Sequence, residues 1–260
     1  MICYNGKFYE EMPEMVSPLF DCCQFGALVF ETMRTYNEKD IFHLNKHLDR
    51  LEKSAEILGI SFSYKKLEIS KKIEKLVEIN NVSGENLRIK VFLCSDFYAV
   101  IAIPLIEMSE DFYENGIEVC EEIFERNFSN AKYSNPAYKY FMSKQPESCF
   151  ETIFFNTQGV LREGNISNVF IVKDKALITP EAGVLHGVTR ATVINTAKRL
   201  NIKVEQREVF RKEVLAADEI FVTNTTKEVV SVRKFGVWGN NDFTIARLLR
   251  EEFHFPHPLQ

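Results

Sequence analysis

The sequence predicts a mixed α/β or α+β fold in two lobes, and three observations carry that prediction. Strand-like and helix-like patterns are intermixed in both halves of the chain. A polar stretch, "EMSEDFYENG", separates the halves and reads as a linker. The 260 residues, 45% hydrophobic with 22 phenylalanines, can fill two modest cores or one large one. The lobes are set at 1–106, the smaller, and 107–260, the larger.

The elements follow in chain order. "FGALVFETMRTY" reads as a strand, "NEKD" as a turn and "IFHL" as a short returning strand. "LNKHLDRLEKSAEILGI" reads as an amphipathic helix, because Leu44, Leu48, Leu51, Ala55 and Leu58 fall on one stripe. Gly59 is its predicted stop. Arg50 lies off that stripe and need not enter the core. "YKKLEISKKIEKLVEINN" gives a second helix, and "NLRIKVFLC" and "YAVIAIPLI" two more strands. After the linker come the strand "IEVCEEIF" and the irregular stretch "ERNFSNAKYSNPAYK". "ETIFFNT" and "VLREG" form a hairpin around "TQG", and "NVFIVKDKALITP" supplies two short strands. "GVTRATVINTAKRLNI" is a helix opened by a glycine, and "ADEIFVTNTTKEVVSV" a strand broken by a polar turn.

Composition narrows the function classes. With 32 basic and 37 acidic residues the net charge is −5, and no basic stripe calls for nucleic acid. No apolar run approaches the roughly 18 residues of a membrane span. The N-terminal "MICYNGKFYEEMPEM" lacks the basic start and apolar run of a signal peptide, so a cytoplasmic protein is expected, with its six cysteines reduced. His43 and His47 are four apart, but no carboxylate partner is evident in sequence, so no metal is expected. His254 and His257 fall in a tail read as ordinary packing or disorder.

Some residues interrupt these patterns. Glu163, in "REGNISNVF", puts an acid between two good strands. By itself it reads as a surface acid at a hairpin end; a functional acid would need a protonated base beside it, a phosphate-binding set and a reactive amine. Downstream, "HGVTRATV" offers unpaired backbone N–H groups at a helix start, and "VTNTTKE" offers hydroxyls on a turn. Arg50 is the kind of side chain that forks onto a phosphate. Arg88 and Lys227 could meet an acidic group of a substrate, or simply face solvent.

"FGALVFETMR", "HLNKHLDRL", "KYSN", "LREGNISNVFIV", "ITP", "GVTRATV" and "VTNTT", in this order and spacing, resemble the class IV aminotransferases. That family includes branched-chain and D-amino acid aminotransferases and 4-amino-4-deoxychorismate lyase. The resemblance runs from about residue 21 to about residue 235 and implies a two-lobed, fold-type IV enzyme with pyridoxal 5′-phosphate (PLP) in the cleft between lobes. It implies that Lys132 forms the Schiff base with PLP and that Glu163 keeps the pyridine nitrogen protonated. Arg50, Val188, Thr189 and Thr225 would hold the phosphate, and Asn168 would support the loop behind Glu163. Lys139 is the second choice of lysine. Lys132 is preferred because Asn135 follows it at the family's distance and it precedes Glu163 by the usual interval. The first lobe is expected to supply Arg50, and the second Lys132, Glu163 and the phosphate amides. Relatives form homodimers, so a homodimer is expected.

The reaction is less determined. Pro136 stands where some branched-chain members have tyrosine, "FETMR" has threonine after its acid, and the family's "GDG" is replaced by "FGALVF". The expectation is an aminotransferase moving an amino group between an amino acid and a 2-oxo acid. The alternative is the lyase, which releases pyruvate and 4-aminobenzoate. An inactive PLP-binding or PLP-free relative is the third reading.

Overall fold

The computed structural model describes residues 1–11, 20–81 and 84–254. The tail with His257 lies outside the described residues. The chain divides into two compact units, one of Met1–Ile106 with Asn130–Asn135, the other of Glu107–Ser129 with Pro136–Gln260.

In the first unit, β1 (Ile2–Tyr4), β2 (Lys7–Tyr9), β3 (Val29–Tyr36), β4 (Asp40–Ile41), β5 (Leu87–Leu93) and β6 (Tyr98–Pro104) form one sheet in the order β2-β1-β6-β5-β3-β4. A short helix, α1 (Asp21–Gln24), precedes β3, and α2 (Leu44–Ile57) and α3 (Lys66–Asn80) follow β4. β3 turns into β4 through Asn37 and Glu38, both at positive φ, the conformation of a tight hairpin. The alternation of β5 is strict: Leu87, Ile89, Val91 and Leu93 are buried, while Arg88, Lys90 and Phe92 are not fully covered. Those buried residues pack with Leu48, Leu51 and Ala55 of α2 and Ile69, Ile73, Leu76 and Val77 of α3. Leu44 and Leu58 of the expected stripe rest on the same core, and Gly59, at φ +67°, ends α2.

In the second unit the stretch read as a linker contains a helix, α4 (Glu110–Asn115). Ser109 accepts the Phe112 N–H, and Glu110 and Asp111 occupy the first turn, so its polarity is that of a capped helix start. β7 (Ile117–Ile123) follows. The irregular stretch after it resolves from Pro136 onward into α5 (Pro136–Lys144); proline suits a first helical position, where no N–H is required. Then come β8 (Glu151–Phe155), β9 (Leu161–Gly164), β10 (Asn168–Lys173), β11 (Ala176–Thr179), α6 (Val188–Arg199), β12 (Val204–Gln206), α7 (Arg211–Val214), β13 (Glu219–Asn224), β14 (Glu228–Phe235), β15 (Trp238–Gly239) and α8 (Thr244–Glu251). The sheet runs β12-β11-β10-β13-β14-β7-β8-β9, with β15 on β14. It is mixed: β7 is parallel to both β14 and β8, whereas β10 lies antiparallel between β11 and β13. Its core includes Ile153, Leu161, Ile171, Ile220 and Val232.

Two expectations change. Lys132 was assigned to the second lobe, but 130–135 packs with the first unit. Phe30 N–H donates to the Lys132 carbonyl (3.1 Å), Ser134 N–H donates to the Leu28 carbonyl (2.8 Å), and Tyr133 bridges Val29. The segment is an added length of strand along β3. The cysteines were expected to be reduced, but Cys120 and Cys149 are joined, with Cα atoms 5.8 Å apart; Cys3, Cys22, Cys23 and Cys94 are free.

Candidate active site

In the first unit the chemistry gathers between α2 and β3. Glu31 points inward from β3 and is fully buried. Arg50, from α2, donates its Nε–H to Glu31 Oε1 (2.6 Å) and its Nη2 to Oε2 (2.8 Å). One turn earlier, His47 Nδ1 lies 2.8 Å from Oε2. Histidine three residues before arginine puts both on the same helix face. Burial pushes the Glu31 carboxyl up, but Arg50 and then His47 outweigh it and hold it at about 2. Burial pushes His47 down, and Arg50 and Lys132 add to this against the pull of Glu31, so a neutral ring donates its Nδ1–H to the carboxylate. His47 therefore has the carboxylate partner that the sequence did not reveal. Among the described residues no group of three or more His, Cys, Asp or Glu is placed to hold a metal.

Lys132 is tied to the same helix. Its backbone N–H donates to Ser54 Oγ (3.0 Å), and that hydroxyl donates to the Arg50 carbonyl (2.7 Å). The Lys132 ammonium stands 4.9 Å from the centre of the Phe30 ring. Arg50 and Lys132 are thus linked through one buried serine.

On the side of the sheet away from these helices, Arg34 of β3 lies directly opposite Arg88 of β5, with Lys90 two residues on. Like charges set opposite one another on a sheet repel. Arg88 Nε is buried with no hydrogen-bond partner among the described residues. Burial, and then Arg88, depress the Lys90 ammonium.

In the second unit Glu163 is the last residue but one of β9 and is 5% exposed, not a surface acid. Arg126 Nε–H donates to Oε1 (3.0 Å), as does the Tyr138 hydroxyl (3.2 Å), and Leu185 N–H donates to Oε2 (2.8 Å). Tyr138 reaches the carboxylate from α5, two residues beyond Pro136. Asn168, opening β10, donates to the Leu185 carbonyl (2.7 Å), so Glu163 and Asn168 hold the two backbone polar groups of the same residue. Gly187 leaves room for Asn168: a Cβ there would run into the Asn168 side-chain oxygen and force it to shift. It is the N-cap of α6, and no side chain caps the helix. Val188 and Thr189, both buried, therefore open α6 with N–H groups that lack intrahelical partners.

Thr225 lies on the turn between β13 and β14. Asn224 shapes that turn: its Oδ1 accepts the N–H groups of Thr226 (3.1 Å) and Lys227 (2.9 Å). Its Nδ2 donates to Ser167 Oγ (3.1 Å), which ties the turn to the segment following Glu163. Lys227 Nζ is 5.5 Å from the centre of the Phe150 ring and attracts the Glu151 carboxylate.

Of the predicted residues, Arg50, Lys132 and Arg88 belong to the first unit, and Glu163, Asn168, Val188, Thr189, Thr225 and Lys227 to the second. Glu31, His47, Ser54, Arg126, Tyr138, Ser167 and Asn224 were not singled out for the site from sequence. The only signal in hand was the pair of histidines, which was weighed for a metal.

The donor set fits PLP on an observation independent of any name. A carboxylate offers about four acceptor positions. Among the described residues Glu163 Oε2 receives only Leu185 N–H, so that oxygen retains room for a ring N–H. Within the second unit alone, such a carboxylate and uncapped helix-start amides suit the ring nitrogen and the phosphate of PLP.

The chain belongs to the class IV aminotransferase family, whose description, "Amino-transferase class IV", matches residues 28–235. It is 30% identical to the branched-chain-amino-acid aminotransferase of Pseudomonas aeruginosa, over 90% of this chain and 84% of that one. It is 29% identical to the aminodeoxychorismate lyase of Bacillus subtilis, over 90% and 86%. Its fold superposes with a TM-score of 0.87 or slightly less on solved relatives. One is the branched-chain aminotransferase of Thermoproteus uzoniensis, solved with norvaline: TM-score 0.86, 27% identity, covering 97% of this chain and 92% of that one. The two-sheet architecture is the fold-type IV scaffold, and enzymes of this family depend on PLP. No described helix is long and apolar enough to cross a membrane.

Proposed function

We propose that the protein is an aminotransferase that moves an amino group between an amino acid and a 2-oxo acid, with Lys132 as its reactive amine. The observation that carries the reading is the seat of Glu163: a buried carboxylate, held by Arg126, Tyr138 and Leu185, with acceptor capacity left on Oε2. When bound, PLP supplies an electron-withdrawing ring that takes up the electron pair left when a substrate loses its α-proton.

The rest of the work falls to side chains. Lys132 Nζ would hold the cofactor covalently and, once displaced by the substrate amine, remove the proton from the substrate α-carbon. Glu163 would favour a protonated ring nitrogen, since an opposite charge raises a base's pKa. Arg50, the Val188 and Thr189 amides and Thr225 would hold the phosphate. Glu31 and His47 orient Arg50. Arg88 is the better candidate for a substrate's acidic group: its Nε lacks a partner among the described residues and Arg34 stands opposite. Lys227 is the second candidate, although its ammonium is drawn toward Phe150 and Glu151. The reading extends to a cytoplasmic homodimer, by likeness to the family, and light scattering on the purified protein tests the dimer.

A relative named as a lyase, at 29% identity against 30% for the aminotransferase, keeps release of pyruvate and 4-aminobenzoate as the second reading. Both reactions use the same lysine, acid and phosphate set. The test supplies 2-oxoglutarate with a panel of L- and D-amino acids, aliphatic ones first, and separately supplies aminodeoxychorismate. Amino transfer to 2-oxoglutarate is expected. Formation of 4-aminobenzoate with no transfer from any amino acid would replace this reading with the lyase. Glu163→Gln should cut turnover about a hundredfold or more while leaving the fold intact.

A further inference from the structure

Glu151 has no part in the roles above, yet it is a fully buried carboxyl in the second unit. It opens β8, where a leucine would satisfy the core. Instead Oε1 accepts the Ile166 N–H (3.0 Å) and Oε2 accepts the Ser167 hydroxyl (2.8 Å). Ser167 Oγ accepts in turn from Asn224 Nδ2 (3.1 Å), and Asn224 Oδ1 holds the N–H groups of Thr226 and Lys227. An unbroken chain of bonds therefore runs from β8, through the turn at 165–167, to the turn that displays Thr225. A second bond, Asn165 N–H to the Thr152 carbonyl (3.0 Å), pins the same turn to β8. Gly164, the residue after Glu163, lies flat against Glu151: a Cβ at 164 would fall on the carboxylate.

We propose that Glu151 is a positioning residue of the cofactor site: it locks the turn behind Glu163 to the Thr225 turn, and so sets the grip on the cofactor's phosphate without touching the cofactor. This rests on the phosphate role given to Thr225 under the proposed function. A buried carboxyl here is costly unless its bonds are made, and apolar replacements would orphan the Ile166 N–H and free Ser167 from one side. Burial pushes the acid up to about 7, against the Ile166 and Ser167 bonds and the nearby Lys227 ammonium. Either protonation state completes the chain. The ionised form accepts the Ser167 O–H, and the neutral form donates to Ser167 Oγ, which still accepts from Asn224. A glutamine can reproduce the second arrangement; an alanine can reproduce neither.

The test compares PLP with pyridoxal, which has the same ring and aldehyde but no phosphate. Dissociation constants for both are measured on the full chain, stripped of cofactor, for the wild type and for Glu151→Ala, Glu151→Gln, Ser167→Ala and Thr225→Val. Glu151→Ala and Ser167→Ala are expected to weaken PLP about tenfold or more and pyridoxal by less than about threefold. Glu151→Gln is expected to stay within about threefold of wild type for both. A wild-type ratio of PLP to pyridoxal affinity in Ser167→Ala and Glu151→Ala overturns the proposal, whether both ligands weaken together or neither does. If Glu151→Ala does not fold, Ser167→Ala decides, because it removes the linking hydroxyl and keeps the carboxyl. Thr225→Val reports on the phosphate role of its side chain alone. A wild type that binds the two ligands equally well defeats the phosphate reading, and the proposal with it.

Discussion

Ser54 has a single hydroxyl and uses it twice, accepting the Lys132 N–H and donating to the Arg50 carbonyl. Ser54 itself is fully buried, and both bonds lie partly out of reach of water. Ser54→Ala would remove the acceptor of the Lys132 N–H and the donor to the Arg50 carbonyl, at a cost of about 1–3 kcal/mol. Calorimetry should show a lower melting temperature. The rate at which borohydride fixes PLP to Lys132 should fall as well, since the lysine's backbone loses one of its anchors and keeps the bond from Phe30 N–H. A melting temperature that drops with no change in that rate would make Ser54 a core serine only. The residues visible from sequence were those with a motif around them: Lys132 in "KYSN", Glu163 in "REGN", Arg50 three residues after His47. Their partners were not visible because each contact is long in sequence. Glu31 meets Arg50 across 19 residues, Arg126 meets Glu163 across 37, and Asn224 meets Ser167 across 57. No periodicity encodes such a pairing. It exists only once β3 lies against α2, or β13 against β10.

Elements with a strong period were legible, and those shaped by single residues were not. α2 follows from its leucines and β5 from its alternation, because burial of one face decides both. α4 hid in a polar stretch because a capped helix of six residues has no room for a stripe. α5 hid in a stretch read as irregular, because Pro136, which begins the helix, carries no periodic signal. The connection from β7 to β8 carries Arg126, Lys132 and Tyr138, and Cys120 and Cys149 join at its two ends, 29 residues apart. Closing a loop of that length removes conformations from the unfolded chain and is worth about 3–4 kcal/mol. Cys149→Ser should therefore lower the melting temperature in non-reducing buffer, and dithiothreitol should lower that of the wild type to match. Should dithiothreitol leave the wild type unmoved and mass spectrometry count six free thiols, the link is absent in solution. The expectation from composition would then hold.

At the scale of the whole molecule, each unit buries a carboxyl and the two are perturbed in opposite directions. Glu31 is held at about 2, below its ordinary 4.5, so it contributes stability that is complete above pH 4.5 and is lost as pH falls toward 2. His47, and His43 at about 4, are depressed by burial and act in the same sense, because the unfolded chain takes up their protons first. Glu151 is raised to about 7. Between pH 4.5 and 7 the folded protein keeps a proton there that the unfolded chain has given up. Its contribution is complete below 4.5 and is lost as pH rises through 7, on the order of 3 kcal/mol in all. The wild-type profile sums these opposed slopes, so the informative quantity is a difference. Glu151→Gln has nothing to ionise at that position. Relative to wild type its stability should climb as pH rises from 4.5 to 7.5 and then level off, while the acid limb set by Glu31 should be the same in both proteins. Urea unfolding at half-unit steps of pH reads the difference directly. A gap between the two proteins that does not change with pH would mean that Glu151 titrates alike folded and unfolded, and that the second unit has made room for its charge.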